Sequence, residues 1–225
     1  MASRRLLSNA VLVGLALFIA LMAVAMACYP GGTCWDVTTR GHRFWQNFLC
    51  DLEWAVARNG EPNPIGSRAA EGAMVILALA MAPHWILVAR VLATRPVLAG
   101  LVRGLGLAAV AGSLAVTVVP SNRFGVVLHA ATVVVAGVPG LSATTLAVAG
   151  LFTREPRPRI AATLGAALLA VAAGDFVLYL GTLVFGGPGP VLIPAAEKVA
   201  LVLLLAWMAR VAVAGRREGG TEASV

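Results

Sequence analysis

Six long apolar stretches decide what this chain can fold into. They run over residues 11–27, 69–89, 97–119, 125–152, 160–185 and 191–214, and charged residues or Pro/Gly punctuation bound each one. A helix needs about 20 apolar residues to cross the hydrocarbon core of a bilayer. In lipid, only helices and closed barrels satisfy their own backbone, and these runs lack the two-residue alternation of barrel strands. The expected fold is all-α: a polytopic membrane bundle of six transmembrane helices, one integral membrane domain over residues 1–225. Composition agrees, with 60% hydrophobic and 12% charged residues and a mean hydropathy of +0.88. Soluble domains are about 45–50% apolar and about 25% charged, so a soluble globular enzyme is excluded. A disordered chain is excluded as well, and three cysteines are too few for a disulfide-built scaffold.

The basic excess reads as topology. Seventeen Lys+Arg stand against ten Asp+Glu, and the arginines sit in short clusters between the apolar runs. No basic stripe carries interleaved aromatics, so no nucleic-acid partner is expected. With the N-terminus inside, eleven basic residues fall on the cytoplasmic side: Arg4, Arg5, Arg90, Arg95, Arg103, Arg154, Arg157, Arg159, Arg210, Arg216 and Arg217. Six fall outside: Arg40, Arg43, Arg58, Arg68, Arg123 and Lys198. The positive-inside rule then predicts a cell-membrane protein with both termini cytoplasmic and a cytoplasmic tail over 215–225. The first span has a second reading, because Arg4-Arg5, an apolar run and Ala25-Met26-Ala27 before Cys28 resemble a cleavable signal. Its apolar run is longer than the usual signal core of about 7–15 residues, which favours a retained helix.

Residues 28–68 form the one substantial segment outside the apolar runs, on the predicted outer side. It opens with the turn signal Tyr29-Pro30-Gly31-Gly32. From about residue 42 to 59 a helical period gathers Phe44, Trp45, Phe48, Leu49, Leu52, Ala55 and Val56 within an arc of roughly 140°. Arg43, Gln46, Asn47, Cys50, Asp51, Glu53 and Arg58 take the remainder, with Trp54 the large apolar exception. This pattern predicts an amphipathic helix at the membrane surface, either a packing lid or a gate carrying Asn47 and Asp51 along one edge. Cys28 and Cys34 are a disulfide candidate on that side, and free thiols are the alternative. No metal-ligand spacing occurs among the cysteines and histidines, and no cofactor is implied.

Ionisable groups inside membrane spans mark functional candidates. Asp175 lies within the fifth span, with Tyr179 and Thr182 on the same face. Glu197 and Lys198 lie about two turns into the sixth. His129 is near the start of the fourth, and Glu71 near the outer end of the second. All fall in the predicted outer half, where Asp51 could join them, so a polar pocket open to the outer leaflet is expected. Asn47, Asp51, Glu71, Asn122, His129, Asp175, Tyr179 and Lys198 are the candidate ligand-binding residues. Asp51, His129, Asp175, Glu197 and Lys198 are the candidates for catalysis. Three readings follow: a lipid or small amphiphile bound in the pocket, an intramembrane lipid-modifying enzyme with acid/base carboxylates around His129, or a structural Asp175–Lys198 pair in a structural or partner-binding protein. Membrane lipids are the expected partners. The small residues Gly100 and Gly104, and Ala162, Ala166, Ala170 and Gly174, are expected to allow close helix contact.

These residues resemble a family of bacterial and archaeal six-span membrane proteins labelled domain of unknown function 998. Pro30-Gly31-Gly32 is similar to that family's opening, and Asn47-Phe48-Leu49-Cys50-Asp51-Leu52 to its N-x-x-S-D-L element. Pro120-Ser121-Asn122 followed by His129 resembles its P-x-D…H element, and Pro194, Glu197-Lys198 and Trp207 its last span. Cys50 stands for Ser, Glu53 for the usual Gly and Asn122 for Asp, which removes one carboxylate and one hydroxyl from the pattern. The resemblance implies an architecture and a polar site, not a reaction. Membrane hydrolases of the alkaline ceramidase type are a poorer fit, since His42, His84 and His129 do not converge under this topology.

Overall fold

The structure, a computed structural model, describes residues 3–155, 158–186, 189 and 191–221. Arg157 and residues 222–225 of the expected tail lie outside them. Among the described residues there are seven α-helices and no strand. They are α1 (Arg4–Cys28), α2 (Pro64–Val91), α3 (Pro96–Val118), the single turn α4 (Ser121–Phe124), α5 (Val126–Phe152), α6 (Arg159–Phe185) and α7 (Leu192–Thr221). Six are long and apolar enough to cross a membrane, and they coincide with the six apolar stretches to within a turn or two.

Local chemistry sets their ends. The Ser3 side chain accepts the Leu6 amide at 3.2 Å and caps α1. Pro64 and Pro96 occupy the first positions of α2 and α3, where no N–H is needed. Pro120 follows the end of α3, and Gly125, at φ +83°, makes the left-handed step that launches α5. Pro83 and Pro139 sit inside α2 and α5, where the interior of a bundle tolerates proline.

The long helices pack as a ring. α1 contacts α2 and α7, α2 contacts α3, α3 contacts α5, α5 contacts α6, and α6 closes on α7. A seam between α2 and α7 crosses the ring, so that α2, α3, α5, α6 and α7 surround an interior of their own. Buried aromatics hold the seam: His84 stacks edge-on against Trp85 at 5.3 Å and Trp207 at 4.8 Å. The outward faces are apolar and open, as lipid-facing helices require. Val127 is 85% exposed and Val184 76%, values that would be a solubility fault in water.

Close crossings fall on glycines other than the expected ones. Gly100, Gly104 and Gly174 face open space. A Cβ at Gly106 would instead come within 2.3 Å of the Trp85 ring, and one at Gly112 within 2.6 Å of the Ala136 backbone. The contacting face of α3 carries Gly106 and Gly112 and lies away from Gly100 and Gly104.

The segment between α1 and α2 departs from expectation in a second way. The predicted amphipathic helix over 42–59 does not form, and its only helical piece is a 3₁₀ turn, Leu49–Glu53. Side chains have taken the backbone groups that a helix would use. The Asn47 carbonyl accepts from Lys198 Nζ, the Leu49 amide donates to Glu197 Oε2 at 3.1 Å, and the Phe48 amide donates to Asp51 Oδ2 at 3.0 Å. The apolar stripe splits accordingly. Leu49 and Leu52 are buried, whereas Phe44 and Trp45 face outward.

Candidate functional site

The segment between α1 and α2 closes one end of the ring, and its own knot of polar groups makes it rigid enough to do so. Asn47 is fully buried. Its amide group donates to the Gly32 carbonyl at 2.7 Å and to Asp51 Oδ2 at 3.1 Å. Its oxygen accepts the Arg43 amide at 2.9 Å. Asp51 receives Arg58 Nε at 2.7 Å, and that guanidinium lies 4.4 Å from the Trp54 ring centroid, which explains the one apolar residue on the polar side of the pattern. Gly32, at φ +85°, brings the chain so close to Asn59 that a Cβ would sit 2.4 Å from its amide nitrogen. Trp35 stacks on Phe48 at 6.0 Å and donates to the Gly189 carbonyl at 3.3 Å, tying the segment to the connection between α6 and α7.

Lys198 belongs to this closure. Its ammonium is 1% exposed, donates to the Asn47 carbonyl and pairs with Glu197 Oε2 at 3.0 Å. No ion pair joins it to Asp175 among the described residues, so the expected Asp175–Lys198 pair is corrected. The partner is the adjacent Glu197, because the Asn47 and Leu49 backbone draws both side chains toward the roof.

Beneath the roof lies a cavity of about 330 Å³. Met74, Met81 and Trp85 of α2, Val133 and Leu141 of α5, Leu168 and Phe176 of α6, and Leu204 of α7 give it apolar walls. Polar groups converge on it from four elements: Glu53 of the 3₁₀ turn, His129 of α5, Asp175 and Tyr179 of α6, and Glu197 of α7. His129 Nδ1 lies 2.7 Å from the Val119 carbonyl. A carbonyl only accepts, so the proton is on Nδ1 and holds the ring to the end of α3. Glu197 Oε2 is occupied by Lys198 and the Leu49 amide. Among the described residues, two fully buried carboxyl oxygens at the cavity have no hydrogen-bond partner: Oδ1 of Asp175 and Oε1 of Glu53.

Glu53 is the residue that sequence reasoning did not select. The helical period puts it on the polar side of a surface helix, yet it is 4% exposed. Burial, with Glu71 and then Glu197 adding their charges, pushes its carboxyl up to about 8. The other candidates distribute as follows. His129, Asp175, Tyr179 and Glu197 line the cavity, Asn47, Asp51 and Lys198 build the roof, and Glu71 is half-buried behind Glu53. Asn122, on the single turn α4, is exposed and stands away from the cavity.

The cysteines are free, correcting the Cys28–Cys34 disulfide candidate. Cys28 is exposed at the end of α1. Cys34 is drawn inward by the turn in which the Thr33 amide donates to the Asp36 carbonyl, and burial pushes its thiol up to about 11. His42 is held down at about 4, by burial first and then by Lys198, and so stays neutral. Among the described residues, no three His, Cys, Asp or Glu side chains are placed to hold one metal ion.

Comparisons of the chain with protein-family models, with curated proteins and with solved structures found no match.

Proposed function

We propose that this multi-pass membrane protein binds a lipid or small amphiphile in the roofed cavity, in the outer half of the cell membrane and with both termini cytoplasmic. The observation that carries the reading is a largely apolar cavity whose carboxyl side chains, Glu53, Asp175 and Glu197, lie in the roof or in the halves of α6 and α7 nearest to it, which matches an amphiphile's tail and head. At about 330 Å³ the chamber is at the small end of the roughly 300–1,000 Å³ typical of ligand sites. That size suits a single-chain molecule better than a two-chain phospholipid.

Binding is favoured over the other two readings by specific contacts. The structural reading needed Asp175 tied to Lys198, and Lys198 is committed to Glu197 and the roof instead. The enzymatic reading needs His129 working with a carboxylate, and no hydrogen bond or ion pair joins His129 to one among the described residues. The test is native mass spectrometry of the detergent-purified full chain, with Ala172→Trp as the filled-cavity control. A retained single-chain molecule that is lost in the variant supports the proposal. A bare wild-type chain that takes up no added amphiphile overturns it.

A further inference from the structure

Resting on that reading, we infer that the molecule taken up has a cationic head, a primary ammonium, held against Glu53 and Asp175. The argument is one of uncompensated charge. Among the described residues, three carboxyl side chains line the cavity, Glu53, Asp175 and Glu197, and no Arg or Lys does. The nearby cations are already engaged: Lys198 by Glu197 and the Asn47 carbonyl, and Arg58 by Asp51 and the Trp54 ring.

The geometry goes further than the tally. Glu53 is 4% exposed and Asp175 half-buried; both line this cavity, and each carries a buried oxygen with no hydrogen-bond partner among the described residues. Native proteins pair more than nine in ten buried polar groups, and a buried carboxylate without a partner is costly. A proton or a ligand cation relieves that cost, and a ligand anion aggravates it. Aromatic rings complete the site. Phe48 in the roof and Tyr179 on α6 line the same cavity, and aromatic rings attract ammonium groups at close range.

The charged and titratable groups around Glu53 are Glu71 on α2, His129 on α5, Asp175 and Tyr179 on α6, and Glu197 and Lys198 on α7, with Cys50, Asp51 and Arg58 in its own segment. Because burial holds its carboxyl near 8, Glu53 of the empty site keeps its proton at neutral pH. An arriving ammonium displaces that proton, so binding tightens as pH rises from about 6 to about 8.5.

The experiment uses the full-length protein in nanodiscs of uncharged net lipid, with three radiolabelled probes that share a tail: dodecylammonium, dodecanol and dodecanoate. Ala172→Trp gives the background from partition into lipid. The expected result is saturable binding of the ammonium probe, at least about tenfold tighter than dodecanoate, in line with the strength of hydrogen bonds and contacts to charged groups. Glu53→Gln and Asp175→Asn should each weaken the ammonium probe about tenfold while leaving dodecanol unchanged, and Glu53→Gln should flatten the pH dependence. Equal affinities for the three heads, or tighter dodecanoate, overturn the cationic head and leave the amphiphile site standing. Saturable binding of none of them overturns the amphiphile reading itself. Asp175→Asn serves as the second variant should Glu53→Gln alter folding.

Discussion

Replacing Glu53 by glutamine should stabilise the protein in alkali and leave it unchanged in acid. The side chain is almost fully buried, lacks a partner for Oε1, and shares its surroundings with Glu71 and Glu197. Its carboxyl is raised from an ordinary value of about 4.5 to about 8. A raised acid binds more protons folded than unfolded, so its favourable contribution is whole below about pH 4.5. That contribution then declines across the interval and is gone above about 8. The width of the interval, at about 1.36 kcal/mol per pH unit, sets a ceiling of roughly 5 kcal/mol on the loss. Relaxation around the charge should reduce the observed part to about 2–4 kcal/mol. For a chain of this length that is on the order of 5–10 °C in Tm. The assay is thermal unfolding of wild type and Glu53→Gln in one detergent at pH 5 and pH 9, compared as a difference so that other titrations cancel. The gap should be near zero at pH 5 and open in favour of the variant by pH 9. A gap that does not change with pH, or a variant less stable than wild type at pH 9, would refute the placement of this carboxyl in an unpaired, buried setting.

Other expectations follow from single contacts. Lys198→Met strands Glu197 and the Asn47 carbonyl and should cost about 3–5 kcal/mol, read as lost detergent-stable protein. Adding Glu197→Gln should recover part of that, whereas Asp175→Asn combined with Lys198→Met should be nearly additive. Gly106→Ala drives a Cβ into the Trp85 ring and should destabilise by about 1–3 kcal/mol. Gly100→Ala, facing open space, should be neutral or stabilising by up to about 1 kcal/mol. A membrane-impermeant maleimide applied to intact cells should modify Cys28 fastest and Cys50 slowest, since burial raises the Cys50 thiol well above its ordinary range. Modification of Cys28 only after the membrane is opened would reverse the proposed orientation.

The helices were legible from the start because a bilayer imposes a one-dimensional requirement. A run such as 160–185, apolar throughout and about 20 residues or more in length, has no competing solution in lipid, and it became α6 with its ends nearly unchanged. Polar residues within such runs were legible for the same reason, which is how His129, Asp175, Tyr179 and Glu197 were singled out from the linear chain alone. Pairing was not legible. Lys198 chose Glu197 and a backbone carbonyl over Asp175 because the roof offered acceptors that no spacing along α7 announces. The roof itself misled in a specific way: the residues from 42 to 59 carry a helical period, yet Lys198, Glu197 and Asp51 captured the Asn47, Leu49 and Phe48 backbone groups that a helix must keep for itself. That capture turned Glu53 from an apparent surface residue into the buried acid of the cavity. Hydrophobic length is a property of consecutive residues. The partner of a buried charge depends on groups some 150 positions away, such as Asn47 and Lys198, and only the closed ring brings these together.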